Sequence, residues 1–299
     1  MSVPAATGRR LLLLHAHPDD ESIMTGGTIA RYLDEGVDVR VLTFTLGEEG
    51  EVIGDEFARL VADGGADQLG GYRILELTRA LTALGSPAAP GPRPRFLGGA
   101  GRWRDSGMAG TPSAENPRAL AQADFGEVIS TLVAEIVGFA PQVIVGYDAA
   151  GTYGHPDHIT VHDAAAEAIP IAVRQLGTAV KHYVSVTEQS ALESGLAAAV
   201  GRVPDGWRMP EPGELPSYPD EQITTEVDVS AVLGRKVAGL AAHATQVTVA
   251  ASGSEYALSN NILQPIGGHE HFIRMDGDGA AVEPGADGRE HDLFAGVPC

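Results

Sequence analysis

The sequence predicts an α/β fold, a Rossmann-like and mostly parallel sheet flanked by helices, with a C-terminal α+β elaboration. Three observations carry the prediction. Leu11-Leu12-Leu13-Leu14 is a short apolar run of the kind buried in a parallel sheet. Residues 23–35 follow with helical character, and Gly36 stops them. Residues 37–45 then alternate and turn apolar, as a second strand entering a buried sheet does. The opening is therefore β-α-β.

The first strand is expected over 10–16, and residues 45–51, acidic and glycine-containing, form a loop over the rim where it ends. A helical region follows over much of 57–84, interrupted by Gly64-Gly65 and Gly70-Gly71. Pro87, Pro90, Pro92 and Pro94 make 86–94 a loop. A short strand at 95–98 precedes a long polar loop with Trp103, Asp105 and Met108, and long loops inside compact domains are often functional. Then come a helix over 125–139, a strand over 142–147, a helix over 157–175 kinked at Pro170, and a strand over 181–187. Beyond 191 the signal weakens to an alanine-rich helix, a proline-rich stretch at 204–219, a strand at 223–229 and a helix ending near 243. The last residues, from about 275, are rich in Gly and Asp and read as a mobile tail. Residues 1–190 are expected to form the α/β core and 191–299 an elaboration packed on the same domain.

Composition narrows the function. With 40 acidic against 20 basic residues the net charge is −20, which opposes binding to nucleic-acid phosphates or anionic lipid and favours a small neutral or cationic substrate. Apolar runs fall far short of the roughly 18 residues of a membrane span. Arg9-Arg10 before the leucines does not open a signal peptide, because His15, His17 and Asp19 break the apolar stretch. A cytoplasmic protein is expected. The single cysteine, Cys299, excludes a disulfide framework and an internal thiolate site, so any transition metal must be held by His and carboxylate.

His17-Pro18-Asp19-Asp20-Glu21 supplies such groups at the end of the first strand, where open α/β sheets carry their chemistry. Residues three apart share a face of a helical turn, so His17 and Asp20 can reach one cation while Asp19 stays free as a base. A solvated helical turn is the plainer alternative, but it leaves three adjacent carboxylates without an offsetting charge. The missing ligand is offered by Tyr153-Gly154-His155-Pro156-Asp157-His158. His155 with His158, or His158 with His162, satisfies helical spacing, and spacing does not choose between them. Glu21 and Asp157 can be ligands or can orient imidazoles. No Gly-x-Ser-x-Gly elbow, dinucleotide fingerprint or phosphate loop is present.

His15-Ala16-His17-Pro18-Asp19-Asp20-Glu21 together with His155-Pro156-Asp157-His158 resembles the LmbE/PIG-L family of zinc-dependent N-acetylglucosaminide deacetylases. The resemblance extends through Thr45 to Asp55, Asp67 to Arg73, Gly98 to Met108 and Ala257 to Asn261 toward the branch that deacetylates N-acetylglucosaminyl-inositol for mycothiol assembly. It implies metal ligands His17, Asp20 and His158, with Zn²⁺ as cofactor and Fe²⁺ an alternative in the same site. It implies Asp19 as general base, Tyr153 and His155 facing the reacting carbonyl, and Asp157 orienting His155. Glu51, Arg73, Asp105 and Met108 would form the sugar and inositol pocket. Two rivals follow: an amidase acting on mycothiol S-conjugates, for which proline is expected where Gly154 stands, and a non-catalytic sugar-binding protein, which has no use for Asp19.

Overall fold

A computed structural model describes residues 8–61, 67–277, 279–282 and 288–297. In chain order the elements are β1 (Arg10–His15), α1 (Asp20–Asp34), β2 (Asp38–Thr43), α2 (Gln68–Leu84), β3 (Arg95–Phe96), α3 (Phe125–Phe139), β4 (Val143–Gly146) and the short turn α4 (Gly151–Gly154). There follow α5 (Pro156–Leu176), β5 (Lys181–Val186), α6 (Gln189–Ala199), β6 (Thr225–Asp228), α7 (Leu233–Ala242), β7 (Thr248–Val249), β8 (Glu255–Ala257), β9 (Gln264–Pro265) and β10 (His269–Met275).

The central sheet has seven strands in the order β3-β2-β1-β4-β5-β10-β6, and the first five run parallel. Its leucine run is buried on both faces because successive side chains point to opposite sides. Leu11 and Leu13 meet Ile29, Leu33 and Leu77 on one side; Leu12 and Leu14 meet Leu132, Ile136 and Val161 on the other. The sheet is thus a continuous apolar layer between two helical layers.

Differences from the sequence expectation have local causes. Helix α1 starts at Asp20, three residues early, because the Asp19 carbonyl already accepts from Ser22 and Ile23 N–H. Helix α2 runs through Gly70-Gly71 without interruption, while Gly64-Gly65 lie outside the described residues. Strand β10, unforeseen, pairs antiparallel with both β5 and β6 and so carries the C-terminal part into the central sheet. Its Glu270 accepts from the Gly27 and Thr28 N–H groups of α1 and from Lys236 Nζ of α7 at 2.7 Å. Gly27 has to be glycine there, since a Cβ would lie 2.6 Å from Val229. The expected mobile tail is instead docked over 288–297: Leu293 and Phe294 are buried, and Glu290 binds Lys181 and Tyr183. No helix among the described residues is long and apolar enough to cross a membrane.

Candidate active site

The segments after β1 and β4 meet at the carboxyl rim of the sheet and bring His17, Asp20 and His158 together. His17 Nδ1 lies 3.4 Å from His158 Nε2, and each is 3.5 Å from Asp20 Oδ2. A tetrahedral ion with bonds of about 2.1 Å has ligand-to-ligand edges of roughly 3.4 Å, so three edges of such a polyhedron are already built. Burial pushes His158 down to about 3, leaving the neutral imidazole that a metal requires. Burial opposes charge on His17 too, yet Asp105, Asp157 and Asp20 hold its pKa well above the ordinary value. The pocket is built to keep one positive charge at this point.

Partners around these three side chains fix their orientation. His17 N–H donates to Asp20 Oδ2 at 2.9 Å, and Tyr147 OH donates to the same oxygen at 2.6 Å. The Tyr147 ring stacks on His158 with centroids 4.2 Å apart. Nothing in the local sequence around Tyr147 announces this role, which depends on the sheet placing β4 beside β1. Asp157 differs from its expected part. Its carboxylate sits 3.2 Å from His17 Nε2 and is bound by Ser106, while its backbone N–H donates to His155 Nδ1. The reason is the helix start: His155 is the N-cap of α5, and a cap side chain accepts from the N–H two residues on. His155 is therefore held by the peptide of Asp157, and its Nε2 looks toward Asp105 at 3.9 Å. Burial and nearby His17 lower its pKa, so it is neutral at rest. His17, His155 and His158 form one further metal-capable grouping and His17, Asp105 and Asp157 another. The His17-Asp20-His158 triangle shares two members with the first of these; in the second, the Asp105 and Asp157 carboxylates are already engaged by N–H donors of Glu49, Ser106 and Gly107.

His162 belongs to none of the metal-capable groupings among the described residues, and its Nδ1 lies 2.8 Å from the Tyr147 carbonyl. Asp19 lies beside the triangle with φ 135° and ψ −33°, a conformation L-residues rarely adopt. Its carboxyl is pushed up to about 6 by burial, against the pull of Arg73. Arg73 is itself buried, 3.0 Å from Asp19 Oδ2, with bonds to the Pro18 and Gly47 carbonyls. It steadies Asp19 rather than standing free in the pocket. Glu21 is not near the triangle's open side; its carboxylate takes His243 Nε2 at 2.8 Å.

A cavity of about 860 Å³ opens on this centre, lined by His17, Asp19, Asp105, Tyr153 and, from the C-terminal part, Gln246 and Tyr256. Glu51 and Met108, both exposed, stand on its wall. Tyr153 is half exposed and rides a strained loop in which Thr152 has φ 62° and Gly154 has φ 86°.

The PIG-L family, described as GlcNAc-PI de-N-acetylase, matches residues 12–169. The 1D-myo-inositol 2-acetamido-2-deoxy-alpha-D-glucopyranoside deacetylase of Gordonia bronchialis is 67% identical, covering 96% of this chain and 100% of its own. The enzyme of the same name from Rhodococcus jostii is 58% identical over 97% of this chain and 98% of its own. Among solved structures, a teicoplanin-pathway deacetylase in complex with teicoplanin superposes with a TM-score of 0.50 at 18% identity, over 89% of this chain and 99% of that one. The 4-carboxy-2-hydroxymuconate hydratase of Pseudomonas putida does so at 0.51 and 18% over 79% of both. Those two show the fold alone, and one scaffold carrying a deacetylase and a hydratase is a reminder that chemistry lies in the site. The match over more than half of the chain, joined to near full-length identity with named deacetylases, makes this protein a member of the PIG-L family of de-N-acetylases.

Proposed function

We propose that this chain is a zinc-dependent hydrolase that removes the acetyl group from N-acetylglucosaminyl-inositol, giving glucosaminyl-inositol and acetate in mycothiol biosynthesis. The observation that carries the reading is the triangle of His17 Nδ1, Asp20 Oδ2 and His158 Nε2, with Asp19 beside it. The substrate is the one named for relatives 67% and 58% identical along nearly their whole length. Fe²⁺ suits the same ligands.

His17, Asp20 and His158 would hold the ion. When bound, such an ion acts as a Lewis acid and brings the pKa of water down to about 7. Asp19, with its carboxyl near neutrality, takes the proton of the attacking water. His155, neutral and facing the cavity through Nε2, and Tyr153, a phenol protonated at neutral pH, are placed to donate toward the oxygen of the acetamide carbonyl as it gains charge. Asp105 and Asp157 hold His17 in register from behind. Glu51, Asp105 and Met108 offer the sugar a polar and apolar wall, and Arg73 acts on it through Asp19.

The loop conformation supports deacetylase over S-conjugate amidase: φ 86° at Gly154 is closed to the proline expected in the latter. The deciding assay is acetate release by zinc-loaded protein. N-acetylglucosaminyl-inositol is expected to exceed N-acetylglucosamine in kcat/KM, since binding energy from inositol helps align the amide. Equal values for the two would refute recognition of inositol, and faster cleavage of a mycothiol S-conjugate would place the chain in the amidase branch.

A further inference from the structure

Asp19 has its backbone in a region that L-residues rarely adopt and that persists only where the surroundings enforce it. Its own N–H donates to Glu21 Oε2 at 3.0 Å. The other oxygen of that carboxylate accepts from Ser22 Oγ at 2.6 Å and meets His243 Nε2 at 2.8 Å. Glu21 and His243 are both completely buried, and no Lys or Arg among the described residues pairs with Glu21. Among the described residues His243 is the ion-pair partner of the carboxylate that holds the Asp19 peptide. It comes from the end of α7, 222 residues along the chain and outside the family match at 12–169. Its placement is firm: the following loop is pinned to α2 through Thr245, whose N–H and hydroxyl both donate to Glu76.

We propose that the His243–Glu21 pair is a positioning device for Asp19, by which the C-terminal part of the chain sets the backbone of the catalytic base. His243 binds the Glu21 carboxylate, Glu21 holds the Asp19 N–H, and the peptide so turned presents the Asp19 side chain between Arg73 and the metal triangle. His243 touches neither substrate nor metal ligands. The inference rests on the reading of Asp19 as the base.

Glutamine and asparagine separate this role from simple packing. His243→Gln can place an amide N–H where Nε2 stands, whereas His243→Asn is too short to reach Glu21. Zinc content is expected to stay at one per chain in both. In His243→Asn kcat should fall on the order of 10- to 100-fold, the range seen when partners outside a metal shell are lost, with KM little changed, and His243→Gln should recover most of it. A crystal structure of His243→Asn should show Asp19 released from its φ near 135°. Equal kcat for the two variants, or Asp19 unmoved in the Asn variant, would overturn the proposal. The crystallographic result decides it even if the wild type releases no acetate, the outcome that would sink the deacetylase reading alone. His243→Leu serves as a harsher control: if it fails to fold, the Gln and Asn pair still decides.

Discussion

Tyr147 binds Asp20 through its hydroxyl at 2.6 Å and covers His158 with its ring at 4.2 Å, so one side chain orients two of the three metal-capable groups. The same hydroxyl accepts from the Ala16 N–H at 2.8 Å. Tyr147→Phe keeps the stack and removes both hydrogen bonds. Metal affinity should fall by about 10- to 100-fold, read by competition with a chelator. Unaltered affinity would show that the phenol is incidental.

The two downstream histidines should behave oppositely. His158 contributes Nε2 to the triangle, whereas His162 spends its Nδ1 on the Tyr147 carbonyl. His158→Ala is expected to abolish stoichiometric zinc and His162→Ala to retain it, measured by atomic absorption after dialysis. A full complement of metal in the His158 variant would mean that His155 or Asp105 completes the site instead.

Asp19 and Arg73 give paired expectations. Asp19→Ala should keep metal and fold yet lose about 10²- to 10⁴-fold in kcat, the range for general acid–base catalysis. Arg73→Met strands the Asp19 carboxylate and two backbone carbonyls in a buried site. It should lower kcat and cost about 3 kcal/mol in urea unfolding, the low end for breaking a buried pair, because Asp19 is partly exposed. A rise in KM alone, at unchanged stability, would return Arg73 to the substrate pocket.

What was legible follows the range of the interactions. His17 and Asp20 lie three apart in one run, so their shared face, with Asp19 left aside, could be read directly. The choice among His155, His158 and His162 could not, because it depends on where α5 begins: with Pro156 first, His155 becomes the cap, His158 faces β1 and His162 turns to Tyr147. Tyr147 and His243 act across 127 and 222 residues, distances that no local pattern encodes. Strand β10 escaped notice because His269-Glu270-His271 breaks the apolar alternation of a buried strand. Its Glu270 is buried at low cost only because α1 offers two N–H groups and α7 a lysine.

His182, on β5, should make the protein acid-sensitive independently of the metal centre. Burial, and secondarily His162, push its pKa down to about 4 from 6.5, and its Nε2 has no hydrogen-bond partner. The folded state therefore refuses a proton that the unfolded chain accepts below pH 6.5. The contribution is complete above that pH, declines as pH falls toward 4 and levels off below it. The gap corresponds to roughly 3 kcal/mol in full and about 2 kcal/mol by pH 5. Urea midpoints at pH 7 and pH 5 should draw apart for the wild type by that amount more than for His182→Leu, which has no proton to take up. If the two proteins lose equal stability over this interval, His182 is not the group responsible, and the lability belongs to the other histidines whose pKa burial lowers, His15, His155 and His158.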